Sequence, residues 1–231
     1  MIKRLAIIPA RGGSKRIKNK NLKKIKGKPL IKYTLMTAKK SKLFEKIHVS
    51  TESLKIHRYL SNLGFSQDFL RDNNLAGDNI PISKVISYVV EKYKKQGKVF
   101  DEIWLMYATN PFVNVKHLKR AYKIYKNKKC KRSIISVCKY NLPLEWSLSF
   151  NKKEDRILPT FKKKIRQNSN SFNNFYCDAG MFVIYQKGFI YNNGESKNIY
   201  FPYEIPWWET VDIDDIEDLN AAKQLIKNVN I

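Results

Sequence analysis

Leu5-Ala6-Ile7-Ile8-Pro9-Ala10-Arg11-Gly12-Gly13-Ser14-Lys15-Arg16 is an apolar run that stops at a proline and opens into two glycines and a cluster of cations. An unbroken apolar run without polar alternation reads as a strand buried on both faces, the habit of parallel sheets covered by helices. Glycines directly behind such a strand let backbone N–H groups approach an anion closely, and the cations offset its charge. Arg11, Ser14, Lys15 and Lys20, with Asn21 and the backbone of Ala10, Gly12 and Gly13, therefore form a candidate polyphosphate loop. It is not a Walker A motif: no glycine stands five residues before Gly27-Lys28, and Pro29 replaces the required Ser or Thr. Nor does it fit the Gly-x-Gly-x-x-Gly dinucleotide pattern.

The same strand-then-helix rhythm continues outward. Pro29 suits the first turn of a helix running to about Lys40. Ile47 to Thr51 reads as a second strand, and a helix over Leu54 to Leu63 ends at Gly64. Phe65 to Leu70 reads as a third strand leading into Arg71-Asp72-Asn73-Asn74-Leu75-Ala76-Gly77-Asp78. From Ile82, the residues Val85, Ile86, Val89, Val90 and Tyr93 recur at helical spacing. Ile103 to Tyr107 is a further buried strand, Val115 to Tyr125 a helix and Ser133 to Cys138 a strand. Such alternation predicts a doubly wound, mostly parallel α/β sheet.

The rhythm changes over about residues 140–175, which are polar, Asn-rich and broken by Pro143 and Pro159. This stretch is expected to be an insertion, either a lid or a dimerisation arm, within a single domain spanning residues 1–231. Tyr176 to Tyr185 returns to an extended pattern. Val211 to Asp214 reads as a last short strand, and Ile216, Leu219, Ala222 and Ile226 mark a C-terminal helix.

The 231 residues are 43% hydrophobic, enough for one full core. A formal net charge of +25 raises the prospect of a nucleic-acid surface. A generally lysine-rich, solvated exterior is the simpler account, because lysines recur on apparent helix faces along the whole chain. No zinc-finger spacing, RNA-recognition signature or Arg-rich tail accompanies the charge. Cys130, Cys138 and Cys177 form no Cys-x-x-Cys pair, and an odd count argues against a disulfide framework. His48, His57 and His117 are not spaced as metal ligands. The N-terminus runs straight into a strand, and no apolar run reaches membrane-spanning length, so a soluble, cytoplasmic protein is expected.

A second chemical constellation lies near the C-terminus. On an extended backbone Asp212 and Asp214 present both carboxylates to one face while Ile213 points to the other. Paired carboxylates beside a polyphosphate suit Mg2+, a hard cation that keeps several waters. Asp215 reads instead as an N-cap, with Glu217 and Asp218 complementing the helix dipole. Arg71 sits where open α/β sheets bind ligands and can hydrogen-bond a base. Arg166 can hold a carboxylate, and Gly180 in Tyr176-Cys177-Asp178-Ala179-Gly180 marks a close backbone approach.

Taken together, these motifs resemble the sugar-acid cytidylyltransferase family, whose members activate sialic acids and related nonulosonic acids as CMP conjugates. The resemblance rests on Ile8 to Arg16 with Lys20-Asn21-Leu22, Arg71 with Leu75-Ala76-Gly77-Asp78, Tyr107-Ala108-Thr109-Asn110-Pro111-Phe112, and Val211-Asp212-Ile213-Asp214. Tyr176 to Phe182 is most similar to the pseudaminic acid branch, with Cys177 in place of that branch's usual His. The resemblance implies a Rossmann-like nucleotidyltransferase fold and transfer of CMP from CTP to the anomeric hydroxyl of a nine-carbon sugar acid. It implies Arg11, Lys15 and Lys20 on the triphosphate, Asn21 and Arg71 on the cytidine, and Gly77 also on the nucleotide. Thr109, Asn110 and Asp178 would meet the sugar, Arg166 its carboxylate, and Asp212 and Asp214 the Mg2+. Arg11, Lys20 and Asp214 are the expected catalytic residues, and a homodimer is expected with the 140–175 arm exchanged between subunits. The competing expectations are a nucleotidyltransferase acting on a sugar phosphate and a basic nucleic-acid-binding protein.

Overall fold

The computed structural model describes residues 2–186 and 199–227. Five of the strands expected to be buried lie in one sheet: β1 (Arg4–Pro9), β4 (Lys46–Ser50), β5 (Glu102–Met106), β6 (Ile134–Lys139) and β9 (Tyr176–Ile184), joined by β10 (Phe201–Glu204). Two small ribbons complete the strands, β2 (Lys24–Ile25) with β3 (Lys28–Pro29), and β7 (Leu148–Asn151) with β8 (Arg156–Pro159). The helices are α1 (Leu30–Ser41), α2 (Leu54–Asn62), α3 (Ile82–Lys95), α4 (Val115–Asn127) and α5 (Ile216–Lys227).

The six-stranded sheet has the order β10-β6-β9-β5-β1-β4. Strand β1 is parallel to β4 and β5, and β10 is parallel to β6, whereas β9 runs antiparallel between β5 and β6. The fold is thus a doubly wound, mostly parallel α/β sheet. Leu5, Ala6, Ile7 and Ile8 are all 0% exposed, as their unbroken apolar run requires. Leu5 and Ile7 pack with Ile86, Val89 and Tyr93 of α3 on one face. Ala6 and Ile8 face the larger core with Leu35 of α1 and Leu118 of α4.

Because every strand of this sheet but β9 points the same way, the loops after β1, β4, β5, β6 and β10 gather at one edge of it. That carboxyl edge is where open α/β sheets bind ligands.

Three local expectations are corrected. Phe65 to Leu70 joins no ladder. It runs beside the edge strand β4 but is fastened by side chains: Gln67 Oε1 accepts from Val49 N at 2.8 Å, and Asp68 is paired with Lys46 and Lys98. Val211 to Asp214 is not a strand; its backbone tie to the sheet edge is Ile213 N to Thr109 O at 3.1 Å. Finally, Pro29 precedes α1 as its extended cap residue rather than opening the first turn. Strand β10 has no counterpart in the sequence reading, since Phe201-Pro202-Tyr203-Glu204 is short and contains a proline, a residue confined to edge strands such as this one.

Residues 140–175 carry the β7–β8 ribbon apart from the main sheet. Leu148, Phe150 and Ile157 share one face of it through the pairs Leu148–Pro159 and Phe150–Ile157, and they are 57%, 57% and 63% exposed. Among the described residues no helix is long and apolar enough to cross a membrane.

Candidate active site

The loop after β1 forms one wall of a cleft of about 200 Å³ at the carboxyl edge. Arg11, Ser14, Lys20, Asn21, Arg71 and Thr109 line it, together with Gly77. Gly12 does not line the cleft but makes the wall possible: a Cβ there would lie 2.8 Å from Ser53 Cβ, at the N-cap of α2. Its N–H donates to Glu52 Oε1 at 2.6 Å, while Glu52 Oε2 accepts from Arg71 Nη2 at 2.9 Å. One carboxylate thereby fixes both the glycine loop and the buried guanidinium. Gly13 faces open space and has no comparable steric duty.

Asn21 and Arg71 are the deepest polar groups in the cleft wall, 4% and 6% exposed. Asn21 Nδ2 donates to the Arg11 carbonyl at 3.0 Å. Its Oδ1 and the Arg71 Nε are buried without a protein partner. An orphaned acceptor and an orphaned donor in one cleft wall are costly unless a ligand completes them.

The cations of the loop are held by carboxylates from the opposite rim. Arg11 and Lys15 both pair with Asp78, Lys15 at 2.6 Å. Hydrogen bonds from Lys15 and then Arg11 hold the Asp78 carboxyl below the usual carboxylate range. Lys20 is different in kind, with a side chain only 14% exposed against 82% for Lys15. Its ammonium donates to Ile213 O at 2.7 Å and to Asp214 Oδ1 at 2.9 Å. Arg16 reaches Asp214 Oδ2 at 2.8 Å. Partial burial alone would raise the Asp214 pKa, but the hydrogen bonds and charges of Lys20 and Arg16 outweigh it and hold the carboxyl low.

Asp212 behaves oppositely. It packs against Gly180, where a Cβ would sit 3.1 Å from Asp212 Oδ2, and accepts a hydrogen bond from Thr109. Gly180 has φ of 61°, a left-handed conformation, beside an irregularity in the β6–β9 ladder. Desolvation chiefly pushes the Asp212 carboxyl up, and the charges of Asp214 and Asp178 add to the rise. Asp178 is also raised by burial, although Gly180 N donates to its Oδ1 at 2.9 Å. Ile213, between the two aspartates, is 0% exposed, so the alternation read from the sequence is present without a strand. Asp215 caps α5, accepting from Glu217 N and Asp218 N while Asp218 accepts from Asp214 N and Asp215 N.

Two residues expected at the sugar lie away from the cleft lining. Asn110 is 0% exposed and its amide is spent internally: Nδ2 donates to Ala179 O at 3.1 Å, and Oδ1 accepts from Phe112 N at 3.0 Å. These bonds hold the turn after β5. Arg166 lies exposed in a turn of the arm, outside the cleft lining. Ala10 is 1% exposed, so only its backbone can serve a ligand. Reasoning from the sequence passed over Glu52, and it placed Asp78 and Tyr107 in motifs without giving either a role. The signal for Glu52 was its place directly after a strand at the ligand edge; Tyr107 lines the cleft and feels the charges of Asp178 and Asp212.

Two carboxylates that leave most of a coordination sphere to phosphate oxygens and water fit Mg2+ better than a metal needing an all-protein cage. Among the described residues no group of three or more His, Cys, Asp or Glu could hold a metal by itself.

Comparison with known proteins shows the family. The cytidylyltransferase family profile matches residues 5–156. The chain is 30% identical to pseudaminic acid cytidylyltransferase of Campylobacter jejuni over 98% of its length and 97% of that protein's. It is 28% identical to the CMP-N,N'-diacetyllegionaminic acid synthase of Legionella pneumophila, covering 96% of each. The solved structure of CMP:2-keto-3-deoxy-manno-octonic acid synthetase with CTP superposes with a TM-score of 0.71 at 14% identity, over 98% of this chain and 99% of that one, and so shares the fold. With a phosphate-type loop, a carboxylate pair and full-length relatives in agreement, the chain belongs to the cytidylyltransferase family.

Proposed function

We propose that this protein transfers CMP from CTP to the anomeric hydroxyl of a nine-carbon nonulosonic acid of the pseudaminic type, releasing pyrophosphate. The observation that carries this reading is the meeting of Lys20, which lines the cleft, with Asp214, which sets a triphosphate-type cation directly against a metal-type carboxylate. The full-length relatives named for pseudaminic and diacetyllegionaminic acids support the acceptor class.

In this reading Arg11 and Lys15 exchange Asp78 for the β- and γ-phosphates, while Lys20 keeps Asp214 and turns its remaining donor capacity to them. Phosphoryl transfer of this kind depends on positioning and charge stabilisation more than on covalent catalysis. Asn21 Oδ1 is an acceptor suited to an exocyclic amine, and Arg71 Nε is a donor suited to a ring carbonyl or nitrogen. Cytosine offers both groups, which supports CTP as the nucleotide. Asp212 and Asp214 would hold Mg2+, which when bound supplies positive charge at the α-phosphate. Arg11 and Lys20 stabilise the departing pyrophosphate, and Asp214 keeps Lys20 aimed at it. Thr109 and Asp178 face the acceptor side, and Asn110 holds Thr109's turn rigid from behind.

The reading includes a cytoplasmic homodimer in which the 140–175 arm docks on a second copy. A two-stranded ribbon with Leu148, Phe150 and Ile157 exposed on one face is not stable alone in water, and a symmetric partner buries that face. Pyrophosphate release with CTP, UTP and ATP against pseudaminic, legionaminic and N-acetylneuraminic acids tests the whole reading. Turnover with CTP and a nonulosonic acid is expected; turnover only with a sugar phosphate would overturn it.

A further inference from the structure

Two of the three cysteines meet at the root of the arm. Cys138 and Cys177 stand directly opposite each other in the antiparallel β6–β9 ladder, the first near the end of β6 and the second near the start of β9. Opposed residues of such a ladder project to the same face, with Cβ atoms about 4.5–5.5 Å apart. Tyr140 N donates to Phe175 O at 3.0 Å, which makes Tyr140–Phe175 a hydrogen-bonded pair. Two positions back along the ladder, Cys138–Cys177 is a pair of the same kind, a class whose Cα atoms lie about 5.5 Å apart. A disulfide spans Cα separations of about 4.4–6.8 Å, so this backbone admits one without displacement.

The side chains are placed to meet as well. The Cys177 thiol donates to the Cys138 carbonyl at 3.6 Å, so its sulfur already leans across the ladder toward the facing residue. The Cys138 thiol donates to the Lys139 carbonyl at 3.3 Å. Burial raises the Cys177 pKa first, and the charge of neighbouring Cys138 adds to the rise. Both are free thiols, Cys177 half-buried and Cys138 5% exposed. The third cysteine, Cys130, precedes the opposite end of β6, where Glu102 and Arg4 act on it.

The pair also brackets the arm. All of residues 140–175 lie between the two cysteines, and the β7–β8 ribbon that they carry stands apart from the main sheet. Hydrogen bonds such as Tyr140 N to Phe175 O, and Trp146 Nε1 to Gln167 O at 3.1 Å, fasten the outgoing chain to the returning one.

We propose that Cys138 and Cys177 are a site of reversible oxidation, at which a peroxide converts the facing thiols into a disulfide that closes the arm into a covalent loop. Cys177, the more accessible of the two, attacks one oxygen of hydrogen peroxide as the thiolate. The O–O bond breaks, and a sulfenic acid and one water form. The Cys138 sulfur then attacks the sulfenic sulfur, the S–O bond breaks, and the hydroxyl leaves with the Cys138 proton as a second water. Together the two sulfurs lose two electrons, which the peroxide takes up. Exchange with a small thiol returns both cysteines to the reduced form. Because its surroundings keep the Cys177 thiol protonated, the pair stays reduced at low peroxide and closes under sustained oxidant.

Treatment of the native full chain with hydrogen peroxide, followed by alkylation and peptide mapping, tests the site. Free thiols are expected to fall from three to one, with the Cys138 and Cys177 peptides joined and Cys130 alkylated, and dithiothreitol restores all three. Closing the loop is expected to raise the melting temperature by about 5 °C or more. Cys130→Ser should behave as wild type, and Cys177→Ser should show neither crosslink nor rise. Sulfinic acid at Cys177 without a crosslink, a bond through Cys130 or between chains, or a crosslink that leaves the melting temperature unchanged overturns the proposal. None of these outcomes bears on CMP transfer, which the acceptor panel tests separately.

Discussion

Lys20 and Asp214, 194 positions apart in the chain, are joined by a 2.9 Å hydrogen bond between the ammonium and Oδ1, and the same ammonium holds the Ile213 carbonyl at 2.7 Å. The loop after the first strand and the segment before the last helix are therefore one unit. The cation is nearly enclosed, so its partners are not lost to solvent as at an exposed pair.

Replacing Lys20 by Met removes the group that bridges these segments and, in the proposed function, meets the triphosphate. Charge-assisted hydrogen bonds are worth about 1.5–3 kcal/mol, so CTP affinity is expected to fall roughly 10- to 100-fold. Calorimetric titration with CTP checks this; unchanged affinity would remove Lys20 from the nucleotide site. In Asp214→Asn the fold should persist while turnover drops at least about a hundredfold, because in the proposed function the metal would lose an anionic ligand.

The two loop glycines are expected to differ. Gly12→Ala forces a Cβ to within 2.8 Å of Ser53 Cβ, whereas at Gly13 nothing lies within 4 Å. Overpacking of this kind costs about 1–3 kcal/mol. Urea denaturation should show Gly12→Ala clearly destabilised and Gly13→Ala close to wild type; equal midpoints would contradict the packing described.

Asp212 carries a raised pKa, so its ionisation weakens the fold. The sign follows from linkage. Below the ordinary aspartate value of 3.8 the carboxyl is protonated in folded and unfolded chains alike and has no effect. Between that value and the higher folded one the unfolded chain ionises while the folded chain keeps its proton, so stability falls across this window and levels off above it. Asp212→Asn should therefore melt higher than wild type at pH 7 in metal-free buffer, and the gain should fade as pH falls toward the ordinary value. The same variant should lose activity, as expected where a site keeps a charge that the fold disfavours. A gain that grows on acidification would contradict the assignment.

The apolar face of the arm predicts self-association. Phe150→Asp, set among Leu148, Ile157 and Pro159 on that face, should shift a dimeric wild type toward monomer by analytical ultracentrifugation. A variant that stays dimeric would place the interface elsewhere.

Much of the core was legible along the chain because its signals are local. The run Leu5 to Ile8, the helical spacing from Val85 to Tyr93 and the apolar stretch Ile103 to Met106 each record their burial in a few consecutive residues. The glycine loop and the aspartates flanking Ile213 were legible for the same reason. Phe65 to Leu70 and Val211 to Asp214 misled because strand-like composition does not reveal whether a neighbouring strand has a free edge or whether a side chain such as Gln67 takes the bond instead. The backbone partners of the Asn110 amide were not legible, because a polar residue in a motif looks alike whether its amide faces a ligand or two backbone groups.

By itself the sequence determined that an apolar strand ends in a glycine-rich cationic loop and that two aspartates flank an apolar residue near the C-terminus, since backbone freedom and side-chain alternation are properties of neighbouring positions. Only the tertiary structure decided that this loop is braced by Glu52, that its cations answer to Asp78 and Asp214, and that Lys20 rather than Lys15 is the enclosed one. Those facts depend on which strand ends the sheet brings side by side, and strand order is set by packing between segments that lie far apart in the chain.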